Sequence, residues 1–158
     1  MSKEIERKFL VKDNSFVAMA TEKRRISQGY LSTDADATVR VRVADGRAWL
    51  TVKGRNAGAV RDEWEYAIPE ADAEEMLDRC CGARRVDKTR YIVPFGGRVW
   101  EVDVFAGRLA GLIVAEVELD SADAAVEMPP FAGHEVTDDA HYYNSVLSDP
   151  SAPVPPAC

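Results

Sequence analysis

The feature that most constrains the fold is a regular alternation of apolar and charged residues, which begins in residues 3–11. Side chains two residues apart share a face of a β-strand, so Glu4, Glu6 and Lys8 would lie on one face. The opposite face is mostly apolar and can pack on a core. Such a strand is either a sheet edge with a solvated face or a strand whose charged face looks into a polar interior. Only the rest of the chain can distinguish these two interpretations.

Eight segments carry the signals of β-strands, and at least seven of them alternate in the same sense. Asp45-Gly46, between two of these segments, is typical of a two-residue hairpin turn. An antiparallel sheet of this size can close on itself, which removes its exposed edges. The predicted strands are residues 3–11, 25–32, 37–44, 47–53, 61–68, 84–93, 99–105 and 113–119.

Three short helices are predicted around the strands. Residues 70–79 read as an acidic helix that Gly82 ends, since glycine commonly stops helices. Residues 121–127 are predicted as a second helix with a serine cap, and residues 138–147 as a third.

Length and composition limit the class of protein. The 158 residues predict one domain, placed at residues 1–147, followed by a disordered Pro/Ser/Ala-rich tail at residues 148–158. A formal charge of -7 argues against a non-specific nucleic-acid or anionic-membrane binder, whose surface is basic. No apolar run approaches the roughly 18 residues that span a bilayer, and the N-terminus lacks the apolar core of a signal peptide. We therefore expect a cytoplasmic protein.

Charged residues gather on the polar faces of the strands, and the acids form four pairs two residues apart. Surface ion pairs contribute only about 0–1 kcal/mol each, so stability alone gives little reason for such regularity. If the polar faces turn inward, the chain is an α+β protein, predominantly antiparallel β. It is then an eight-stranded, closed, tunnel-like barrel with a charged interior and helices packed outside. The bases are Lys8, Arg40, Arg42, Lys53, Lys88 and Arg90, and the acids are Glu4, Glu6, Glu63, Glu65, Glu101, Asp103, Glu116 and Glu118.

The two kinds of charge would have separate roles. Arginine and lysine would bind phosphate oxygens, and carboxylates would coordinate Mg²⁺ or Mn²⁺. This combination suits a metal-bound chain of phosphates and phosphoryl transfer by positioning and charge neutralisation. The sequence has no Walker-type glycine loop, so the bases must come from the strands themselves.

The ordered set of charged motifs resembles the CYTH domain family, also called the triphosphate tunnel metalloenzymes. The resemblance covers about residues 3–147, and the N-terminal form looks like that of short bacterial members. The motifs that carry it are Glu4-x-Glu6-x-Lys8, Arg40-x-Arg42, Thr51-Val52-Lys53-Gly54, Glu63-x-Glu65, Lys88-x-Arg90 and Glu116-x-Glu118.

The resemblance implies an eight-stranded tunnel and metal-dependent hydrolysis of a triphosphate. It assigns triphosphate binding to Lys8, Arg40, Arg42, Lys53 and Arg90 or Lys88. It assigns metal binding to Glu4, Glu6, Glu116 and Glu118, with Glu63 and Glu65 completing the site or orienting water. Asp103 is expected to join the metal end, while Glu101 pairs with an arginine of the tunnel.

A tyrosine on the second strand is thought to pair with the signature lysine in short bacterial relatives, and Tyr30 occupies that position. Lys8 and Tyr30 are therefore the predicted catalytic pair, since a lysine with a depressed pKa could activate water. A metal-bound hydroxide and a glutamate remain rival bases. Tyr30 could instead be a packing aromatic whose hydroxyl is hydrogen-bonded.

The leading functional prediction is hydrolysis of inorganic triphosphate to pyrophosphate and phosphate. The alternatives are a class IV-type adenylate cyclase, a thiamine or nucleoside triphosphatase, and a non-catalytic polyphosphate-binding module. The expected partner is a small-molecule triphosphate, with neither nucleic acid nor membrane. Relatives of this type are often dimers, so the resemblance also allows a homodimer.

Overall fold

The computed structural model describes residues 2–158, and antiparallel strands make up about half of it. Nine strands are numbered here in chain order. They are β1 (Ser2–Val11), β2 (Glu22–Asp34), β3 (Ala37–Ala44), β4 (Arg47–Lys53), β5 (Val60–Ile68), β6 (Arg85–Phe95), β7 (Arg98–Phe105), β8 (Ile113–Glu118) and β9 (Ala132–Glu135). The helices are α1 (Phe16–Met19), α2 (Glu70–Met76) and α3 (Asn144–Leu147), with a π-helical turn at Leu77–Cys81 and 3₁₀ turns at Gly107–Leu109 and Ala140–Tyr142.

Eight of the strands close into an antiparallel barrel. The sheet runs in the order β5-β4-β3-β2-β6-β7-β8-β1, and β1 also pairs with β5, which joins the two ends. The first part of β1 pairs with β5 and the later part with β8, so this long strand completes the ring. The short strand β9 adds to β1 outside the ring of eight. The predicted eight-stranded closed barrel is thereby confirmed.

The apolar faces of the strands pack outward, under the loops and helices. Phe9, Trp100 and Val117 form one buried cluster with Phe16 of α1 and with Phe131. The Trp100 ring lies with its centroid 5.6 Å from that of Phe9 and 6.2 Å from that of Phe131. This arrangement leaves the charged faces on the inside.

The helix α2 covers a second apolar area on β3 and β4. Its residue Ala73, with Leu77 and Cys81 of the following π-helical turn, packs against Val41 and Ala48. The predicted helix at residues 70–79 is therefore found in the expected place. It ends as expected at Gly82, which has a φ of 57° that favours glycine.

A third apolar cluster lies on the inward side of the barrel, at one end. On β1, β8, β7 and β6, charged residues face the interior. Two positions further along each strand, toward this end of the barrel, the residue on the same face is apolar. Three of these apolar residues are Leu10, Val114 and Phe105. The 3₁₀ turn at Ala140–Tyr142 adds Tyr142 to the cluster, and α3 adds Leu147. The C-terminal segment therefore seals this end of the charged interior.

Two sequence-based assignments differ from the structure. Residues 121–127 are not helical; a single turn from Ser121 to Ala124 leads into extended chain. A segment of seven residues before two prolines is too short to offset the cost of helix nucleation. The predicted helix at 138–147 is divided into the 3₁₀ turn and α3, separated by extended Tyr143.

The C-terminal tail makes contacts with the barrel. Tyr142 donates a hydrogen bond from its hydroxyl to the carbonyl of Pro156, at 2.6 Å. Arg108 donates to the carbonyls of Leu147 and Asp149, at 2.6 and 3.1 Å, and Pro155 is buried. The domain boundary at residue 147 and the disorder of the tail remain predictions. No helix among residues 2–158 is long and apolar enough to cross a membrane.

Candidate active site

The inward faces of the barrel strands surround a polar cavity of about 230 Å³. The strand period of two brings the alternating charges of the sequence to this one space. All of the predicted site residues except Asp103 line it. They are Glu4, Glu6, Lys8, Tyr30, Arg40, Arg42, Lys53, Glu63, Glu65, Lys88, Arg90, Glu116 and Glu118.

Asp103 lies behind the cavity surface, and both of its carboxylate oxygens are bound by cations. Arg90 donates to it in bidentate fashion, with Nε–Oδ1 at 2.8 Å and Nη2–Oδ2 at 2.9 Å. Lys88 Nζ lies 2.7 Å from Oδ2, and the side chains of Lys88 and Asp103 are each 1% exposed. Glu101 receives a bond from Arg90 Nη1 at 3.1 Å, as its predicted pairing requires. In this arrangement Asp103 orients the cations, and its role as a metal ligand remains a prediction.

Lys8 on β1 contacts the C-terminal segment and an acid of β8. Its Nζ donates to the carbonyl of Tyr142 at 3.2 Å, lies 3.5 Å from Glu116 Oε1, and sits 5.6 Å from the ring centroid of Tyr143. Burial works to lower the pKa of Lys8, but the carboxylates of Glu116 and Glu6 raise it above its usual value. The expectation of a depressed lysine pKa is therefore wrong for Lys8 in this state.

Lys53 on β4 lies between two acids from neighbouring strands. Its Nζ donates to Glu4 Oε1 at 2.9 Å and lies 3.3 Å from Glu63 Oε2. Burial works to raise the pKa of Glu4, but Lys53 outweighs it and holds the carboxyl below its usual value. This lysine therefore serves as the counter-ion of two carboxylates that are predicted to bind metal.

Arg40 is held by polar side chains of β4 and β5. Its Nη2 donates to Thr51 Oγ1 at 3.2 Å and to Glu65 Oε2 at 3.5 Å, and the Thr51 hydroxyl donates to the same Glu65 oxygen at 2.9 Å. Its buried Nε has no hydrogen-bond acceptor among the residues described. A buried guanidinium donor without an acceptor favours binding of an anion.

Arg42 is oriented by the fully buried Gln28, which accepts from its Nε at 2.8 Å. The amide of Gln28 in turn donates to Asn144 Oδ1 at 3.1 Å and to the Tyr30 hydroxyl at 3.5 Å. Asn144 Oδ1 also accepts from Lys88 Nζ at 3.0 Å. An amide network therefore joins three predicted site residues to the C-terminal helix.

Two of the cavity cations have lowered pKa values. Burial lowers the pKa of Lys88 to about 7, and nearby Arg90 and Arg42 add to this effect while Asp103 opposes it. Burial, Arg40 and Arg90 together lower the pKa of Arg42. These positive groups are therefore incompletely compensated, and a bound anion would stabilise them.

The acids show the opposite imbalance on the adjoining wall. Burial raises the pKa of Glu6 to about 8, with Glu116 and Glu4 contributing by repulsion. Burial and neighbouring acids also raise the pKa values of Glu63 and Glu118. Within residues 2–158, however, no three acidic or histidine side chains converge closely enough to hold an ion as they stand. Binding a metal would require the carboxylates to move together, and Glu4, Glu63 and Glu116 would have to turn from their lysine partners.

Several cavity residues were not predicted from the sequence. Those with polar side chains are Thr38, Asn56, Arg61, Thr137, Tyr143, Asn144 and Ser145. Arg61 had a usable signal, because it lies two residues before Glu63 and so shares its face. The C-terminal residues had none, since only tertiary packing brings that segment to the barrel.

Comparisons with known proteins agree on one family. The family model described as the CYTH domain matches residues 2–145. An inorganic triphosphatase of Acetivibrio thermocellus is 43% identical over 147 residues, covering 93% of this chain and 94% of that one. An inorganic triphosphatase of Nitrosomonas europaea is 40% identical, with coverage of 92% and 96%. A crystal structure of an inorganic triphosphatase has a TM-score of 0.66 at 37% identity, covering 94% of this chain and 95% of that one.

Proposed function

Because this chain belongs to the CYTH domain family, we propose that it hydrolyses inorganic triphosphate to pyrophosphate and phosphate with Mg²⁺ or Mn²⁺ as cofactor. The relatives that cover nearly the whole chain are inorganic triphosphatases. Their identity of 40–43% supports the same reaction in this protein.

The observation that carries the proposal is the paired electrostatic imbalance in one cavity. Burial, reinforced by neighbouring cations, lowers the pKa values of Lys88 and Arg42, so this side of the cavity favours an anion. Burial, reinforced by Glu116 and Glu4, raises the pKa of Glu6 to about 8, so the other side favours a cation. A phosphate chain bound with divalent metal supplies both kinds of charge at once, whereas either ion alone would leave one side uncompensated.

The chemistry of the acids fits a hard divalent cation. The carboxylates of Glu4, Glu6, Glu116 and Glu118, with Glu63 and Glu65 beside them, offer the oxygen ligands that Mg²⁺ and Mn²⁺ prefer. Such an ion supplies a Lewis acid that neutralises charge on the phosphoryl oxygens.

The cations would hold the substrate by its phosphate oxygens. Arginine offers a planar fork for bidentate contacts, and lysine a point charge. Arg90 is fixed by Asp103, and Arg42 by Gln28, so neither must lose much side-chain entropy on binding. The set that we assign to this role is Lys8, Arg40, Arg42, Lys53, Lys88 and Arg90.

Lys8 and Tyr30 remain the proposed catalytic pair. The raised pKa of Lys8 supports a charged ammonium that binds phosphate over a neutral amine that accepts a proton. Tyr30 is buried, and its hydroxyl faces Gln28. A glutamate therefore remains a rival base, and a divalent metal held by the carboxylates would offer another route by lowering the pKa of water.

The deciding experiment is product analysis with three substrates. Wild-type protein is incubated with tripolyphosphate, ATP or thiamine triphosphate in the presence of Mg²⁺ or Mn²⁺. We expect phosphate and pyrophosphate from tripolyphosphate at the highest rate. Cyclic AMP from ATP would identify a cyclase instead, and binding without turnover would identify a polyphosphate-binding module.

Two variants test whether the cavity performs the reaction. Glu6→Gln and Lys8→Ala should each lower kcat by about 10²-fold or more, since each removes charge that stabilises the transition state. Circular dichroism should show that both variants fold. Cys80→Ser, on an exposed residue outside the cavity, is the matched control and should leave turnover unchanged. Near-normal turnover of both cavity variants would contradict the assignment.

Other proposals concern the setting of the enzyme. A cytoplasmic location, a homodimer and the lack of a nucleic-acid partner remain predictions from the sequence. Sedimentation of the purified chain would test the homodimer directly.

A further inference from the structure

Arg61 is a cavity cation that neither the charged motifs nor the comparisons assign. It lies at the start of β5 on the same face as Glu63 and Glu65, and it lines the cavity with them. Across the β1–β5 ladder its register partner is Glu4. The position is therefore inside the barrel and beside the predicted metal-binding acids.

The guanidinium of Arg61 is fixed by neutral acceptors. Its Nε donates to the carbonyl of Gly54 at 2.6 Å, and its Nη2 donates to Thr38 Oγ1 at 2.9 Å. Two such bonds orient the planar group without cancelling its charge. Burial lowers its pKa, although Glu4 and other groups oppose that effect.

Most other cavity cations are already paired with an acid. A carboxylate oxygen lies within 4 Å of Lys8, Arg40, Lys53, Lys88 and Arg90. For Arg61, none of the carboxylates in the described chain lies within this distance. Its charge is therefore available to a ligand without first breaking an ion pair, and breaking a buried pair is expensive.

The location of Arg61 indicates which part of the ligand it meets. It adjoins the connection between β4 and β5, where Asn56 and Gly58 also line the cavity, and so lies at the margin of the cation cluster. A chain of three phosphates that occupies the central cations would present an end group there.

We propose that Arg61 binds a terminal phosphate of the triphosphate and so helps to distinguish triphosphate from pyrophosphate. This inference rests on the proposed function, and it adds one positively charged residue to the binding site. The Nη1 group, which makes no hydrogen bond to any described residue, would donate to a phosphate oxygen while Thr38 and Gly54 hold the other two nitrogens in place.

The test compares Arg61→Gln and Arg61→Lys with wild type and with Arg55→Gln. Arg55 is a matched control, because it is an exposed arginine on the same connection and pairs with Asp36. Calorimetry of the full chain without added metal gives Kd for tripolyphosphate and for pyrophosphate. Steady-state assays with Mg²⁺ give kcat and KM.

We expect Arg61→Gln to weaken tripolyphosphate binding about tenfold or more, and pyrophosphate binding less than threefold. KM should rise while kcat changes less than threefold, and Arg61→Lys should recover part of the affinity. Arg55→Gln should bind both ligands like wild type.

Two outcomes would overturn the inference. One is binding of tripolyphosphate by Arg61→Gln that equals that of Arg55→Gln, and the other is equal loss for both ligands. A loss of kcat and of melting temperature with unchanged Kd would show that Arg61 has only a structural role. Failure of the proposed function looks different, because the wild-type protein itself would then release no phosphate from tripolyphosphate.

Discussion

Individual charges in this barrel are stabilised by their immediate neighbours. Asp103 receives three short hydrogen bonds from Arg90 and Lys88, all of them buried. Burial works to raise the pKa of Asp103, but these two cations lower it far below its usual value. The stability that this carboxylate contributes is therefore present throughout the neutral range and is lost only in strong acid, as pH falls through its depressed pKa.

Asp103→Asn tests how much this buried cluster depends on its acid. The change removes the carboxylate partner of Lys88 and leaves Arg90 with Glu101 alone, which should lower the free energy of unfolding by about 3–5 kcal/mol. Urea unfolding measures the difference. Asp36→Asn is the matched control, because Asp36 and Arg55 form an exposed pair and such pairs contribute only about 0–1 kcal/mol. Equal effects of the two variants would show that Asp103 carries little stability.

At the scale of elements, one arginine from outside the C-terminal segment binds the end of α3 and the tail. Arg108 follows β7 and donates to the carbonyls of Leu147, Asp149 and Ala152. Leu147 is the last residue of α3, where carbonyls have no helical partner, and the other two acceptors lie in the tail. One side chain therefore ties the helix end and the tail to the barrel.

Arg108→Gln should loosen this attachment. We expect faster hydrogen–deuterium exchange in the peptide that covers residues 148–158, while exchange in the barrel strands stays unchanged. Arg98→Gln is a suitable control, because Arg98 also donates to a backbone carbonyl, that of Ala125, away from the tail. Full exchange of the tail within seconds in wild type would instead support the disorder that its composition predicts.

The elements that the sequence predicts well are those whose side chains repeat locally. Alternation at a period of two, with turn signals between the segments, identifies the barrel strands and the charges that share a face, since the period is a property of the strand itself. The short strand β9 was missed because Ala132–Glu135 does not alternate and forms only by pairing with β1. Asn144 was missed for the same kind of reason, because a nonlocal contact brings it to Gln28 and Lys88.

At the scale of the whole molecule, the barrel separates an apolar exterior packing layer from a polar interior. This is the reverse of a sheet that packs its apolar face inward, and it leaves charges facing a cavity rather than a core. The apolar cluster around Leu10, Val114 and Phe105 limits the charged region at one end. A ligand is thereby confined to the level at which Glu6, Lys88 and their neighbours lie.

This arrangement couples metal and phosphate binding to the stability of the fold. Without a ligand, burial together with like-charged neighbours disfavours the charged forms of Glu6 and Lys88. A ligand that binds only the folded state, at 100 times its Kd, adds about 2.7 kcal/mol to the free energy of unfolding. Metal and a phosphate chain should each make the other bind more tightly, since each supplies the counter-charge that the other needs.

Thermal unfolding measures this coupling directly. The chain is melted alone, with Mg²⁺, with an imido-linked triphosphate analogue that resists hydrolysis, and with both, at matched ionic strength. We expect the shift in Tm with both ligands to exceed the sum of the separate shifts, because the interior must balance two opposite charges at once. Arg42→Gln should reduce the shift caused by the analogue but not that caused by metal alone, since Arg42 lies among the cations assigned to phosphate binding. Additive shifts would mean that acids and cations serve independent ligands, and the single cavity would then not hold a metal-bound phosphate chain.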